Sequence, residues 1–291
     1  MNYSYTLALG SSFSFALASL VFTHYARKVS VIWMNTFKAL TALIAFETAV
    51  IFTTHFARLP RLDSVLLFVL SGFVGLNIGD LFLVKAFKAM GAARTLVIFS
   101  FQPIFLGVFA FVLFNQSVSL NKCFGIFFMI GCVFVMSYEH FKKNFKWDIA
   151  GPAYALAGVV LDSVGIILTR QAFDRDQGVS VLEGNFYRCL GATIGFFVIS
   201  RFMKINLSRT FSKMKIKART IVLAGGLLGT FISLWMYLTA ISVGHLATIS
   251  AIIGTGPVFA AIFEAFLLKK WPSRYLYVAF ILFGCGFYLV L

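Results

Sequence analysis

The sequence predicts an all-α integral membrane protein with ten transmembrane helices arranged as two inverted five-helix repeats. Three observations carry that expectation. The composition is too apolar for a soluble core, ten apolar stretches have bilayer length, and a series of glycine, proline, asparagine and basic positions recurs at offsets of 146 to 154 residues. Of the 291 residues, 60% are hydrophobic and 12% are charged. Soluble domains average about 45–50% apolar and about 25% charged. A core that large would need a polar shell, and the chain lacks the polar sequence to build one. A bilayer is the solvent that tolerates this composition.

Cutting the chain at charged or turn-rich breaks gives segments at 5–25, 31–54, 64–84, 94–114, 120–138, 149–170, 181–203, 220–240, 246–268 and 272–291. Each is close to the ~20 predominantly apolar residues that a membrane helix needs. The first, from Tyr5, has no basic n-region and no A-x-A site, so it is expected to be a retained helix rather than a signal peptide. The nine breaks, counted with the segment ends beside them, carry, in order, two, two, three, one, three, two, seven, none and three Lys or Arg residues. The long polar break is 201–219, with Arg201, Lys204, Arg209, Lys213, Lys215, Lys217 and Arg219. The net charge of +15 is thus concentrated in short connections, where it acts as a topology signal, and no basic-aromatic stripe points to nucleic acid. Cys123, Cys132, Cys189 and Cys285 form no CxxC pair and fit buried small hydrophobes.

The repeat is read residue by residue. At an offset of 154, Gly72, Gly75, Ile78 and Ala86 fall on Gly226, Gly229, Ile232 and Ala240, and Pro103 and Phe105 fall on Pro257 and Phe259. At 153, Gly131 and Cys132 fall on Gly284 and Cys285; at 150, Asn35 and Lys38 fall on Asn185 and Arg188; at 146, Thr23 and Ala26 fall on Thr169 and Ala172. The offset drifts only within breaks. Residues 1–143 and 144–291 therefore form one duplicated unit, with no soluble domain. Five helices per unit is odd, so the second copy starts from the opposite side of the membrane. Substrate sites in such carriers lie near the midplane at the repeat interface.

On these residues the chain resembles the drug/metabolite transporter superfamily, in its ten-helix EamA-like form. The resemblance rests on the glycine-rich third and eighth segments leading into A-x(6)-A, and on Gln102-Pro103-Ile104-Phe105 and Gly256-Pro257-Val258-Phe259 in the fourth and ninth. It rests also on Lys38 and Arg188 early in the second and seventh. Where family members often carry a glycine–glutamate pair after the fourth and ninth helices, this chain has Asn115-Gln116 and Lys269-Lys270. The resemblance implies a gradient-driven exporter or exchanger, with a cavity lined mainly by helices 1, 3, 4, 6, 8 and 9. Substrates across the superfamily range from amino acids and sugars to phosphorylated metabolites and drugs.

Ionisable groups inside a bilayer cost of order 2.5–3.5 kcal/mol at a helix centre, so each needs a partner, a wet cavity or a role. Lys38 and Arg188 fit a cationic pair for an anionic substrate group, or braces that snorkel to a surface. Asp80, in Asn77-Ile78-Gly79-Asp80, has the apolar Leu234 as its repeat partner. That broken symmetry fits proton coupling or a substrate amine, against an ion pair with Lys85 or Lys88. Asp162, near the middle of the sixth segment, fits reversible proton binding, against a hydrogen bond to Ser163. Glu47 and Glu264 lie nearer helix ends and fit interfacial placement, or pairing of Glu264 with Lys269. Proline inside a helix removes a backbone hydrogen bond and kinks it. Gln102-Pro103 and Gly254-Thr255-Gly256-Pro257 therefore form either paired hinges facing a cavity or packing kinks. His24 and His245 fit interfacial histidines, and Trp235, Tyr237 and Phe82 are candidate cavity aromatics. The candidate substrate-binding or coupling set is Lys38, Asn77, Asp80, Gln102, Pro103, Asp162, Arg188, Trp235, Tyr237, Thr255 and Pro257.

No catalytic motif and no metal-ligand spacing is present, and no cofactor is expected. The expected function is secondary transport of a small metabolite by alternating access around a midplane cavity; a lipid flippase or a lipid-modifying membrane enzyme is the alternative. The expected partners are a small-molecule substrate, membrane lipid and protons, with no nucleic acid, and the expected location is the inner membrane. Of the 25 Lys and Arg, 18 fall in breaks on one side and 5 on the side of the termini. The positive-inside rule puts the termini outside, whereas the family resemblance implies cytoplasmic termini. The count is the direct property of this chain and is preferred.

Overall fold

The computed structural model describes residues 3–53, 59–106, 149–243, 252–269 and 271–290, with scattered positions from 109 to 142 and Ile249. The predicted fifth segment, 120–138, lies mostly outside the described residues, as do Asn115, Gln116, Cys123, Cys132 and His245. Regular structure among the described residues is helical throughout. In chain order the helices are α1 (Tyr3–Ala26), α2 (Val31–Thr53), α3 (Leu62–Met90), α4 (Ala92–Phe99), α5 (Ala150–Arg175), α6 (Val181–Phe202), α7 (Leu207–Lys213), α8 (Ile216–Val243), α9 (Gly256–Leu268) and α10 (Arg274–Val290). Five of them, α1, α2, α3, α5 and α8, are long and apolar enough to cross a bilayer alone; α6 joins them if counted with α7, from which it is bent by 88°.

Local chemistry sets the ends. At α2 the Ser30 hydroxyl accepts from the Trp33 N–H at 3.0 Å. At α6 Ser180 and Glu183 form a reciprocal capping box, which satisfies two of the orphan N–H groups. The helices α3, α5 and α8 run past their predicted ends at residues 84, 170 and 220. Cutting at charged residues truncated them, yet long cations continue a helix beyond the hydrocarbon by laying their stems on apolar surface. Lys85 does so, with its ammonium over the rings of Phe82 and Tyr154 at 5.3 and 5.5 Å. Cys189 is buried as expected, but Cys285 is exposed on the outer face of α10.

The packing repeats the sequence symmetry. α3 lies along α5 and α6, and α8 lies correspondingly along α1 and α2. The fourth span packs on α5 through α4 as the ninth packs on α1 through α9, while α2 against α6 is a pair that the exchange maps onto itself, as is the contact of the fourth span with the ninth. The sense of the helices fixes the inversion. Along α3 and α5, Ser64 meets Ala172, Ser71 meets Gly165, and Gly79 approaches Gly158, so the two run antiparallel. α1 and α3 cross in the same direction because α2 lies between them, so α5 runs opposite to α1. The two halves are inverted copies.

Symmetry reaches the backbone. α3 and α8 each contain a π-helical stretch, Gly72–Gly79 and Leu227–Ile232, at equivalent places in the repeat. Such stretches widen a helix by one residue per turn and often sit at functional sites. Asn35 Nδ2 donates to the Asp80 carbonyl at 3.2 Å, at the exit of the first π stretch. Its equivalent, Asn185, donates to the Leu234 carbonyl at 3.4 Å, at the exit of the second. Close approach of α3 and α6 requires glycine: a Cβ at Gly72 would overlap the Arg188 carbonyl oxygen, and one at Gly191 would overlap that of Val69.

Candidate functional site

Both axial helices break at the middle of the bundle. After Phe99 the chain turns at Ser100–Phe101 and resumes as helix at Gln102; after Ile253 it turns at Gly254–Thr255 and resumes at Gly256. Each turn is closed by matching i→i+3 bonds, Phe101 N–H to Ile98 and Ile104 N–H to Phe101, then Thr255 N–H to Ile252 and Val258 N–H to Thr255. Pro103 and Pro257 thus occupy the first turn of a new helix, where a missing N–H costs little. The carbonyl of Ile253 loses its donor at Pro257 and instead accepts the Ser12 hydroxyl at 3.1 Å.

These breaks border a cavity of about 140 Å³. Its walls come from α1, α2, α3, the region of α4, α5, α8 and α9, and are largely apolar, with Phe15, Leu76, Leu83, Phe99 and Pro257 among them. Asp162 lies at the centre of α5, which places the cavity near mid-membrane. Two polar clusters line it. In the first, the Lys38 ammonium meets the Asp80 carboxylate at 2.6 Å and lies over the Phe22 ring at 5.1 Å. Lys38 is buried, at 2% exposed, and Asp80 is 14% exposed at the cavity wall. Asp80 therefore pairs with neither Lys85 nor Lys88, which point along the outer part of the same helix.

The second cluster is a chain of three side chains. Tyr237 O–H donates to Gln102 Oε1 at 3.3 Å, and Gln102 Nε2 donates to Asp162 Oδ2 at 2.6 Å. Ser163, the local alternative, donates instead to the Val159 carbonyl. A carboxylate has about four acceptor sites and Gln102 uses one. Arg188, Lys38 and Asp80 act on Asp162 through space. Asp162 thus has an amide rather than a cation as its hydrogen-bond partner.

Of the sequence candidates, Lys38, Asp80, Gln102, Pro103, Asp162, Tyr237 and Pro257 line the cavity. Asn77, Arg188, Trp235 and Thr255 lie outside its lining. Asn77 is fully buried and donates to the Ala192 carbonyl at 3.3 Å, tying α3 to α6. Arg188 does not snorkel: it is 1% exposed and donates through Nε to Ser71 Oγ at 3.1 Å. Its repeat position pairs it with Leu234 in place of a carboxylate, which is why it takes a hydroxyl. Trp235 packs with the Phe46 and Phe196 cluster, and Thr255 donates to the Ile252 carbonyl. Glu264 neither sits free at an interface nor pairs with Lys269; its Oε1 accepts from Ala92 and Ala93 N–H and caps α4, whose preceding residue is the side-chain-less Gly91.

Sequence reasoning missed the serines. Ser11 and Ser233 exchange hydroxyl-to-carbonyl bonds at 2.9 and 3.2 Å between α1 and α8, at the cavity wall. Ser100 donates to the carbonyl of Gly254, its own repeat equivalent, at 3.3 Å. The signal was the concentration of serine in an otherwise apolar first segment.

A profile of the EamA-like transporter family matches residues 2–138 and again residues 149–291. The chain belongs to the EamA-like transporter family. The doubled match falls on the two halves that the packing relates. A protein described as an uncharacterized transporter of Archaeoglobus fulgidus is 26% identical over 211 residues, 72% of this chain and 69% of that protein. A solved crystal structure of a protein aligns with 99% of this chain and 96% of its own at a TM-score of 0.69 and 15% identity, a likeness of fold alone. Family membership and apolar helices make this EamA-like chain a multi-pass membrane protein, and with the relative they point to a transporter rather than an enzyme.

Proposed function

We propose that this protein is a secondary transporter of a small metabolite, exporting or exchanging it by alternating access around the midplane cavity, with Asp162 as the exchange group. One observation carries the reading: the same cavity is lined by a carboxylate held by an amide relay and by an already neutralised Lys38–Asp80 pair. A proton or a substrate donor group meets the open acceptor positions of Asp162, while the apolar walls take the body of the solute. At about 140 Å³ the cavity is comparable with an apolar protein cavity of about 150 Å³ that takes up benzene.

Asymmetry between the half-bundles supports alternating access. α1 packs against the Asp80–Met90 part of α3 and against α4, within a large apolar cluster including Phe22, Tyr25, Phe87 and Leu96. The equivalent pairing, α5 with the Ser233–Val243 part of α8, has no extensive counterpart among the described residues. The cavity is therefore sealed towards the side of the 201–219 connection. Exchanging the conformations of two inverted halves moves that seal to the other side.

Purified protein in proteoliposomes is expected to show counterflow, in which an unlabelled solute inside drives uptake of the labelled one without any chemical change. Product formation in the absence of a gradient, or no counterflow for any member of a metabolite pool that raises the protein's melting temperature, would remove this reading. We also place the 201–219 side in the cytoplasm, following the charge count. A lone cysteine introduced at the exposed Ser208 in a cysteine-free background is expected to resist impermeant maleimide in intact cells and to react after permeabilisation. Labelling of intact cells reverses the orientation.

A further inference from the structure

The 201–219 connection is more than a polar loop. α6 ends in a Schellman turn: Lys204 adopts a left-handed φ of 53° and the Ile205 N–H reaches the Ser200 carbonyl at 2.9 Å. The chain then turns 88° into α7, so that α7 lies across the bundle axis in the membrane plane. Asn206 caps it by accepting from the Arg209 N–H at 2.9 Å. Its inner side is apolar and anchored: Ile205, Leu207, Phe211 and Met214 pack on the central cluster. Trp33 Nε1 donates to the Leu207 carbonyl at 3.0 Å, and Trp33, Phe37 and Phe211 stack in a column at 5.2 and 5.3 Å. Arg219 closes it from the other end, with its guanidinium 5.2 Å from the Phe211 ring.

What remains outward is cationic. Arg201, Lys204, Arg209, Lys213, Lys215 and Lys217 are all exposed, and no acidic residue occurs between 201 and 219. Exposed apolar side chains flank the array: Phe202 is 82% and Ile216 81% exposed, which suits acyl chains at the membrane boundary. A topology signal needs only charge on one side. Here the charges are held on a fixed, membrane-parallel scaffold with apolar anchors at both ends, and the lysine at the left-handed position bears a backbone cost that glycine would avoid.

We propose that the α6–α8 connection is a docking site for the phosphate groups of anionic phospholipids in the adjoining leaflet. Each basic side chain within reach of the bound phosphates contributes roughly fivefold in affinity. Native mass spectrometry of the purified full-length protein with phosphatidylglycerol or phosphatidylcholine tests it. The wild type is expected to retain phosphatidylglycerol preferentially. Changing Lys204, Arg209, Lys213 and Lys217 together to glutamine is expected to weaken that binding on the order of a hundredfold or more. Changing four exposed cations elsewhere on the same side, Arg27, Lys28, Lys88 and Arg274, is expected to leave most of it. Should the first variant melt lower than wild type in phosphatidylcholine, Lys204→Gly replaces it, since glycine relieves the left-handed backbone while removing one charge; roughly fivefold weaker binding is then expected. Equal loss in both four-site variants, equal retention of the two lipids by the wild type, or thermal stabilisation by inorganic phosphate equal to that by phosphatidylglycerol would each overturn the proposal.

Discussion

Replacing Asp162 by asparagine is expected to abolish pH-dependent transport and to leave, at most, slow exchange that is indifferent to pH. On the proposed mechanism a proton and a substrate donor compete for one carboxylate in the wild type, so apparent substrate affinity is expected to fall as pH falls. Asparagine keeps the shape and the contact with Gln102, but it cannot take up or release a proton. A hydrogen bond to a charged group is worth about 1.5–3 kcal/mol, so substrate affinity at neutral pH should drop roughly ten- to a hundredfold. The measurement is counterflow in proteoliposomes across a pH series, for wild type and variant. A variant that keeps the wild-type pH profile would take Asp162 out of the coupling step. Tyr237→Phe is a graded companion, since it removes only the donor to Gln102 Oε1 and leaves the carboxylate in place.

Much of this architecture was legible because the bilayer imposes it. A helix that must satisfy every backbone group internally and span the hydrocarbon announces itself by apolar length alone. The inverted repeat was legible from Gly72 and Gly226, Pro103 and Pro257, and Asn35 and Asn185, residues whose backbone or polar demands outlast drift in an apolar background. Partners were harder to read. Sequence spacing finds neighbours three or four residues away, so Asp80 pointed to Lys85 and Lys88, whereas the bundle brings it Lys38 from another helix. Asp162 pointed to Ser163 for the same reason and meets Gln102. Glu264 caps a helix of the opposite repeat, a contact that no local pattern encodes.

Two features left no usable trace. The π stretches in α3 and α8 shift the helical phase, but in helices apolar on every side a phase shift changes nothing visible in the hydrophobic pattern. Trp235 and Tyr237 are aromatics two residues apart and of similar character, yet only the second lines the cavity. Their difference is one of helix face, which uniform hydrophobicity conceals. Conversely, Ile205, Leu207, Phe211 and Met214 were present as an apolar pattern inside the 201–219 break, and its seven cations drew the reading away from it.

The largest effect on stability is expected at Lys38 and Asp80, and it should be strongly non-additive. Either group alone in this setting is an unpaired charge at mid-bundle, because their mutual contact at 2.6 Å is what allows Lys38 to be buried and Asp80 to sit at a largely apolar cavity wall. Removing one partner of a buried pair costs about 3–5 kcal/mol, while replacing both with apolar residues of similar size is often neutral or stabilising. Lys38→Met and Asp80→Leu are therefore each expected to lower the melting temperature, on the order of 10 °C. The double variant should recover most of that loss. The leucine is not arbitrary: the second repeat already carries Leu234 at the position equivalent to Asp80, beside Asn185 and the same kind of π exit. Transport is expected to separate from stability in this series, with the double variant folded but slow, because the pair lines the same cavity as Asp162. Glu47→Gln, on the exposed face of α2, serves as the reference and should shift stability by no more than about 0.5 kcal/mol; Asp80→Asn should lower transport further than it does. A double variant as unstable as either single would show that the two groups do not stabilise each other. One that is stable and transports at the wild-type rate would make the pair a brace and leave Asp162 alone at the centre of the cycle.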